Sequence, residues 1–200
     1  MRKALFTTAI TAAVASVVIV PALPANAQTV GNGCGTTVFT SCTDTEHYTD
    51  LNQWLGGNPA PANCPSYFGD WAFASGTGNG SEHTNFNKAG DAWFTDTWTG
   101  DGTVTFYPAS SVNIVTDDQG NVISSQITGP SEQVLTGHMT QWDGGSFNKQ
   151  NGEFTFTFSF EGTDASGTPI NVHASSHGTW IPGSDPAGPP SSGHSAMSCS

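Results

Sequence analysis

The sequence predicts an all-β fold, a single antiparallel β-barrel or β-sandwich of about eight or nine strands. Three observations carry this. Apolar residues alternate by two, most plainly in Phe154, Phe156, Phe158 and Phe160, with Glu153, Thr155, Thr157, Ser159 and Glu161 between them. Gly, Thr, Asn and Ser interrupt every candidate helix after residue 65. Turn-forming clusters recur at Gly100-Asp101-Gly102, Asp118-Gln119-Gly120-Asn121, Asp143-Gly144-Gly145 and Asp164-Ala165-Ser166-Gly167. With no crossover helices, a purely parallel sheet is excluded.

In chain order, residues 28–64 read as an irregular Gly/Pro/Thr-rich lead-in, with one short helical segment at Asp50-Leu51-Asn52-Gln53-Trp54-Leu55. The β domain spans 65–181, with strands expected over 66–75, 81–87, 91–99, 103–107, 112–116, 121–128, 132–142, 153–162 and 169–180. A Pro/Gly/Ser-rich tail, 182–200, is expected to be pinned by Cys199. The chain also echoes itself. Phe86-Asn87-Lys88 and the strand after it resemble Phe147-Asn148-Lys149 and its successor, and the alignment sets Asp96 at the place of Phe158. That puts a carboxylate on an apolar face.

Residues 1–27 have the order of a cleavable secretory signal. Arg2 and Lys3 precede an apolar run to Val20, followed by Pro21, Pro24 and the small-x-small triplet Ala25-Asn26-Ala27. Cleavage before Gln28 predicts a secreted, extracellular protein without membrane attachment. It removes two of the four basic residues and leaves Lys88 and Lys149 against 16 acidic ones, a net charge of −14. Nucleic acid and anionic lipid, which need a cationic face, are thereby excluded as partners. Four cysteines in an exported chain predict two disulfides, for which the spacing favours Cys34 with Cys42 and Cys64 with Cys199. A monomer is expected.

The segments Phe147-Asn148-Lys149-Gln150-Asn151, Phe154-Thr155-Phe156-Thr157-Phe158, Gly162-Thr163-Asp164, Gly167-Thr168-Pro169 and Val172-His173-Ala174-Ser175-Ser176-His177 resemble uncharacterised secreted β-proteins of actinobacterial type. The resemblance covers about residues 64 to 180. It implies export and a β-fold, and it implies no activity, cofactor or site residue.

No Gly-x-Ser-x-Gly elbow, His-Glu-x-x-His helix, phosphate-binding glycine loop or Cys-x-x-Cys occurs, so no cofactor and no metal site is expected. The leading reading is a non-enzymatic binding or surface-interaction protein. Three alternatives stand beside it. A barrel lumen holding a small apolar ligand, lipocalin-like or allene-oxide-cyclase-like, rests on fold analogy. A carbohydrate-binding module would use the six tryptophans as stacking platforms, and inward-turned rings would speak against it. An enzyme or metal protein would use histidine and glutamate. The candidate ligand-binding residues are Glu153, His177, His173 and Asp96. If strands 153–162 and 169–180 form a hairpin whose paired numbers sum to 330, Glu153 faces His177 and Thr157 faces His173. If the echo alignment holds, Asp96 is desolvated and should titrate high, whereas a bulge would turn it to solvent.

Overall fold

The structure is a computed structural model, and it describes residues 42–56, 58–87, 91–116, 122–148, 151–180 and 192–200. Nine strands lie among them. They are β1 (Cys42–Trp54), β2 (Trp71–Phe86), β3 (Ala92–Tyr107), β4 (Val112–Thr116), β5 (Val122–Ile127), β6 (Gln133–Phe147), β7 (Gly152–Thr163), β8 (Pro169–Trp180) and β9 (Ser192–Cys199). Seven form one antiparallel sheet in the order β1-β2-β3-β6-β7-β8-β9, and β4 pairs with β5 in a small second sheet. The fold is therefore all-β and antiparallel. Within the described residues β1 and β9 remain the edges of the large sheet.

Two expected elements are corrected. The lead-in is not irregular after residue 41, and Asp50–Leu55 does not begin a helix, because Cys42–Trp54 is a 13-residue strand. Its pattern was hidden by chemistry. Core-facing positions hold Asp44, Glu46 and Tyr48, and the register shifts between Tyr48 and Asp50, so that Leu51 and Gln53 then carry the buried phase. The tail likewise ends in a strand, whose Ser200 exchanges backbone hydrogen bonds with Asn171. The signal segment, Cys34 and Asp117-Asp118 lie outside the described residues.

Two expected turns are strand interiors. Gly100-Asp101-Gly102 lies within β3, and Asp143-Gly144-Gly145 within β6. The reason is packing rather than reversal. Gly76, Gly102, Gly137 and Gly162 stand in one row across β2, β3, β6 and β7. A Cβ on Gly102 would lie 2.2 Å from the Ser75 carbonyl oxygen, and one on Gly137 equally close to that of Glu161. Backbone occupies the space that side chains would need, and the sheet coils there.

The coil is measurable by what it brings together. Gln53 is in register with Ala74, Val104 and Leu135, three strands and six residues away from Gln141. On a flat sheet their Cα atoms would be about 24 Å apart. Yet Gln53 Nε2 donates to Gln141 Oε1 at 2.6 Å, and Trp98 Nε1 to the Thr49 carbonyl at 3.1 Å. β1 thus lies over the core face of β3 and β6. Under it Trp98, Met139, Phe158, Phe160, Leu135 and Val172 are almost wholly buried, each such side chain contributing about 1.5–3 kcal/mol.

A 3-10 turn at Pro65–Tyr67 stacks Tyr67 on Phe106 at 4.0 Å and carries the chain past Cys64. Cys64 is bonded to Cys199, with Cα atoms 4.7 Å apart across a separation of 135 residues. The expected long bridge is therefore present. The Cys34–Cys42 pairing falls outside the described residues. No helix among the described residues is long and apolar enough to cross a membrane. Replacing Cys64 and Cys199 together by serine is expected to cost about 2–5 kcal/mol, because a long loop is released in the unfolded chain. Equilibrium urea unfolding reads this directly, and an unchanged midpoint would show that the bridge is dispensable.

Candidate functional site

Register brings acids together on the core face. Glu46, Glu82, Asp96 and Asp143 follow one another in a single row across β1, β2, β3 and β6, continued on β7 by Phe156. Above and below the row the same face is aromatic, with Trp98 on one side and Phe94 and Phe154 on the other. A polar belt therefore crosses an otherwise apolar surface. Alternation by two fixes this placement, since Asp96 lies between the buried Phe94 and Trp98.

Glu82, Asp96 and Asp143 each have a neutral partner. The Tyr48 hydroxyl lies 2.7 Å from both oxygens of the Asp96 carboxylate. Asp143 Oδ1 accepts from Gln141 Nε2 at 3.0 Å, and Gln141 in turn is held by Gln53. Glu82 Oε1 accepts from the Thr84 hydroxyl at 3.0 Å. The only ion pair among the described residues joins His138 and Asp101, far along the strands and exposed to solvent. Among the described residues no cation stands beside the belt, and neutral hydrogen-bond donors take that place.

Titration follows from that shortage. Burial pushes Asp96 up to about 6 despite the opposing Tyr48 hydrogen bond, with Glu82 adding repulsion. Burial also pushes Asp143 up to about 7, with the Asp96 charge next in importance. Burial and then the Asp96 charge hold the Tyr48 phenol protonated. At neutral pH the Asp96–Asp143 pair, directly opposed on β3 and β6, sits near the middle of its titration.

The expected site residues fall on two faces. Asp96 is on the core face, in the row of Phe156 rather than of Phe158, so the internal echo has the right face and is two residues out. Glu153, His173 and His177 lie on the outer face. There the expected Glu153–His177 opposition is corrected. The paired numbers sum to 332, so Glu153 faces Thr179, His177 faces Thr155 and His173 faces Ser159. The turn explains the shift. Gly167 takes φ 83°, its N–H donates to the Asp164 carbonyl, and Asp164 and Thr168 close the hairpin around three residues. The Asp164 carboxylate, accepting from the Ser166 and Thr168 N–H groups, locks that geometry. His177 contacts Thr155 Oγ1 through Nδ1 at 3.1 Å, and its ring centroid lies 5.8 Å from that of His194. Among the described residues no three His, Cys, Asp or Glu side chains group as a metal site.

Sequence reasoning found Asp96 and missed Tyr48, Glu82, Gln141 and Asp143. The available signal was Gln141-Trp142-Asp143, which places two polar side chains on the core face of an alternating strand. Comparison of the chain with protein-family models, with curated proteins and with solved structures finds no match.

Two outcomes test the belt. A Cβ on Gly80 would lie 2.3 Å from the Tyr48 ring, which crosses that glycine to reach Asp96. Gly80→Ala is therefore expected to displace the ring, cost roughly 1–3 kcal/mol and raise the Asp96 titration further, read by carboxyl carbon NMR. An unmoved titration would detach Tyr48 from Asp96. The second outcome concerns pH. Asp96 and Asp143 titrate above their unfolded value of 3.8, so the stability they favour is complete below about 4 and is lost as pH rises through about 6 and about 7. Asp143→Asn removes the Asp143 share of that loss. It should stabilise the protein at pH 8 by roughly 1–3 kcal/mol and leave it nearly unchanged at pH 4. Equal effects at both values would contradict this electrostatic account.

Proposed function

We propose that the protein is an exported, monomeric, non-enzymatic binding protein whose core face receives a small ligand with an aromatic or aliphatic body and a cationic head. The observation that carries this reading is the Asp96–Asp143 pair, two opposed carboxyl groups inside an aromatic surface with no cation beside them among the described residues. A bound ammonium supplies the missing charge, and the faces of Trp98 and Phe94 suit a cation and its apolar substituents. The acidic composition adds a long-range attraction for cations. Coiling of β1 over β3 and β6 supports an open barrel as the container. The purely apolar lumen gains less support, since Phe158, Phe160, Met139 and Leu135 are buried in the core.

A second reading, an acid–base enzyme using the same pair, is favoured by the titration of Asp96 and Asp143 near neutral pH, where a carboxyl group both gives and takes a proton. Calorimetric titration with benzylammonium, against neutral benzyl alcohol, separates charge recognition from apolar binding. Benzylammonium is expected to saturate at pH 8, to weaken at least about tenfold at pH 5 as the carboxylates protonate, and to be lost in the Asp96→Asn/Asp143→Asn variant. Equal binding of benzyl alcohol, or unchanged benzylammonium binding in the variant, would remove the proposal.

A further inference from the structure

Outside the core face the chemistry reverses. The three outer-face rows that run through Thr95, Trp142 and Thr140 hold Thr, Ser, His, Asn, Ala and Gly besides that tryptophan, with no Asp or Glu. For a chain with 16 acidic residues, several of them turned toward the core, this is an unusual distribution. Two large rings mark this face, Trp142 within the acid-free rows and Trp93 in the row beside them, which carries Glu153 two strands away on β7. Trp93 is 45 % exposed and Trp142 41 % exposed, on neighbouring strands, whereas Trp54, Trp98 and Trp180 are buried.

Their placement is built rather than incidental. Trp142 faces Thr97, four residues from Trp93 on β3, so the two Cα atoms are about 14 Å apart by strand rise and strand spacing. The Trp142 indole extends along its own strand over Gly144, where a Cβ would lie 3.1 Å from ring atom Cζ2. Gly144 stands between Thr95 and Thr155, so the ring lies low between hydroxyl groups with its outer side to solvent. Imidazoles on this face are likewise held by hydroxyls, His83 by Thr45 at 2.9 Å and His173 by Ser159 at 3.2 Å. These groups both donate and accept hydrogen bonds, as sugar hydroxyls require.

We infer that the outer face of β3, β6 and β7 binds a neutral polysaccharide, with Trp93 and Trp142 stacking on two sugar rings and the intervening Thr and Ser hydroxyls bonding the chain between them. A protein partner would be expected to need a larger apolar centre than two rings among threonines. An anionic glycan would meet the net negative charge of the chain, and a neutral one does not.

Native-gel affinity electrophoresis tests the inference with laminarin, xyloglucan, hydroxyethyl cellulose and soluble starch cast separately into the gel. At least one is expected to retard the protein. Trp93→Ala and Trp142→Ala should each weaken that retardation at least about tenfold, while Trp142→Tyr keeps part of it. Thermal unfolding of the same variants checks that these exposed substitutions leave the fold intact. Asp143→Asn, on the opposite face, should retard like the parent protein, which separates this surface from the core-face site. Absence of retardation by all four polysaccharides, or retardation indifferent to the Trp93→Ala/Trp142→Ala double variant, would overturn the inference.

Discussion

Close backbone approach along the glycine row is the constraint from which the rest of the molecule follows. Gly76, Gly102, Gly137 and Gly162 let four neighbouring strands come together where any side chain would strike a carbonyl oxygen. The sheet then coils enough for Gln53 on the edge strand to reach Gln141 in the middle. That reach closes the polar chain to Asp143. On a flat sheet β1 would be a distant edge, Tyr48 would have less reason to cross Gly80, and the carboxylate row would face open water.

Burial of these acids, with no counter-cation among the described residues, has a cost that the fold distributes. Tyr48 gives its hydroxyl to Asp96, and Gln141 gives its amide to Asp143, so every acid at the centre of the belt is solvated by a neutral dipole. Dipoles lower the energy of the charged form less than a lysine would. Asp96 and Asp143 therefore titrate high although each accepts a hydrogen bond. This separates the belt from a structural salt-bridge network, in which paired charges would depress the same groups.

Alternation made most of the sheet legible. The β7 and β8 segments, and the hairpin partners β4 and β5, follow from period-two patterning and turn residues that the chain shows openly. What patterning hid was hidden for physical reasons. β1 presents acids and glutamine to the core and shifts register after Tyr48, so neither its polarity nor its phase looks like a buried strand. Gly100, Gly102, Gly144 and Gly145 look like turns because glycine serves both reversal and close packing, and only the neighbouring strand tells which. Asp96 was readable because its flanks, Phe94 and Trp98, are strongly apolar. Asp143 was not, because its neighbours Gly144 and Gly145 suggested an exposed loop. The correct face but shifted partner of Glu153 and His177 has the same origin, since parity is set by the apolar pattern and the register by the turn.

The order of strands carries a consequence for how the chain assembles. Every pairing in the large sheet joins strands adjacent in the chain, except that β3 meets β6 across the β4–β5 hairpin. Such a meander keeps most pairings between chain neighbours, which limits the loop-closure entropy that each new strand costs. Cys64 and Cys199 belong to opposite ends of that process and meet only when β9 has been laid beside β8. The bridge therefore ties the β1–β2 connection to the last strand of the sheet, joining in one covalent link two regions that the meander itself keeps at opposite ends.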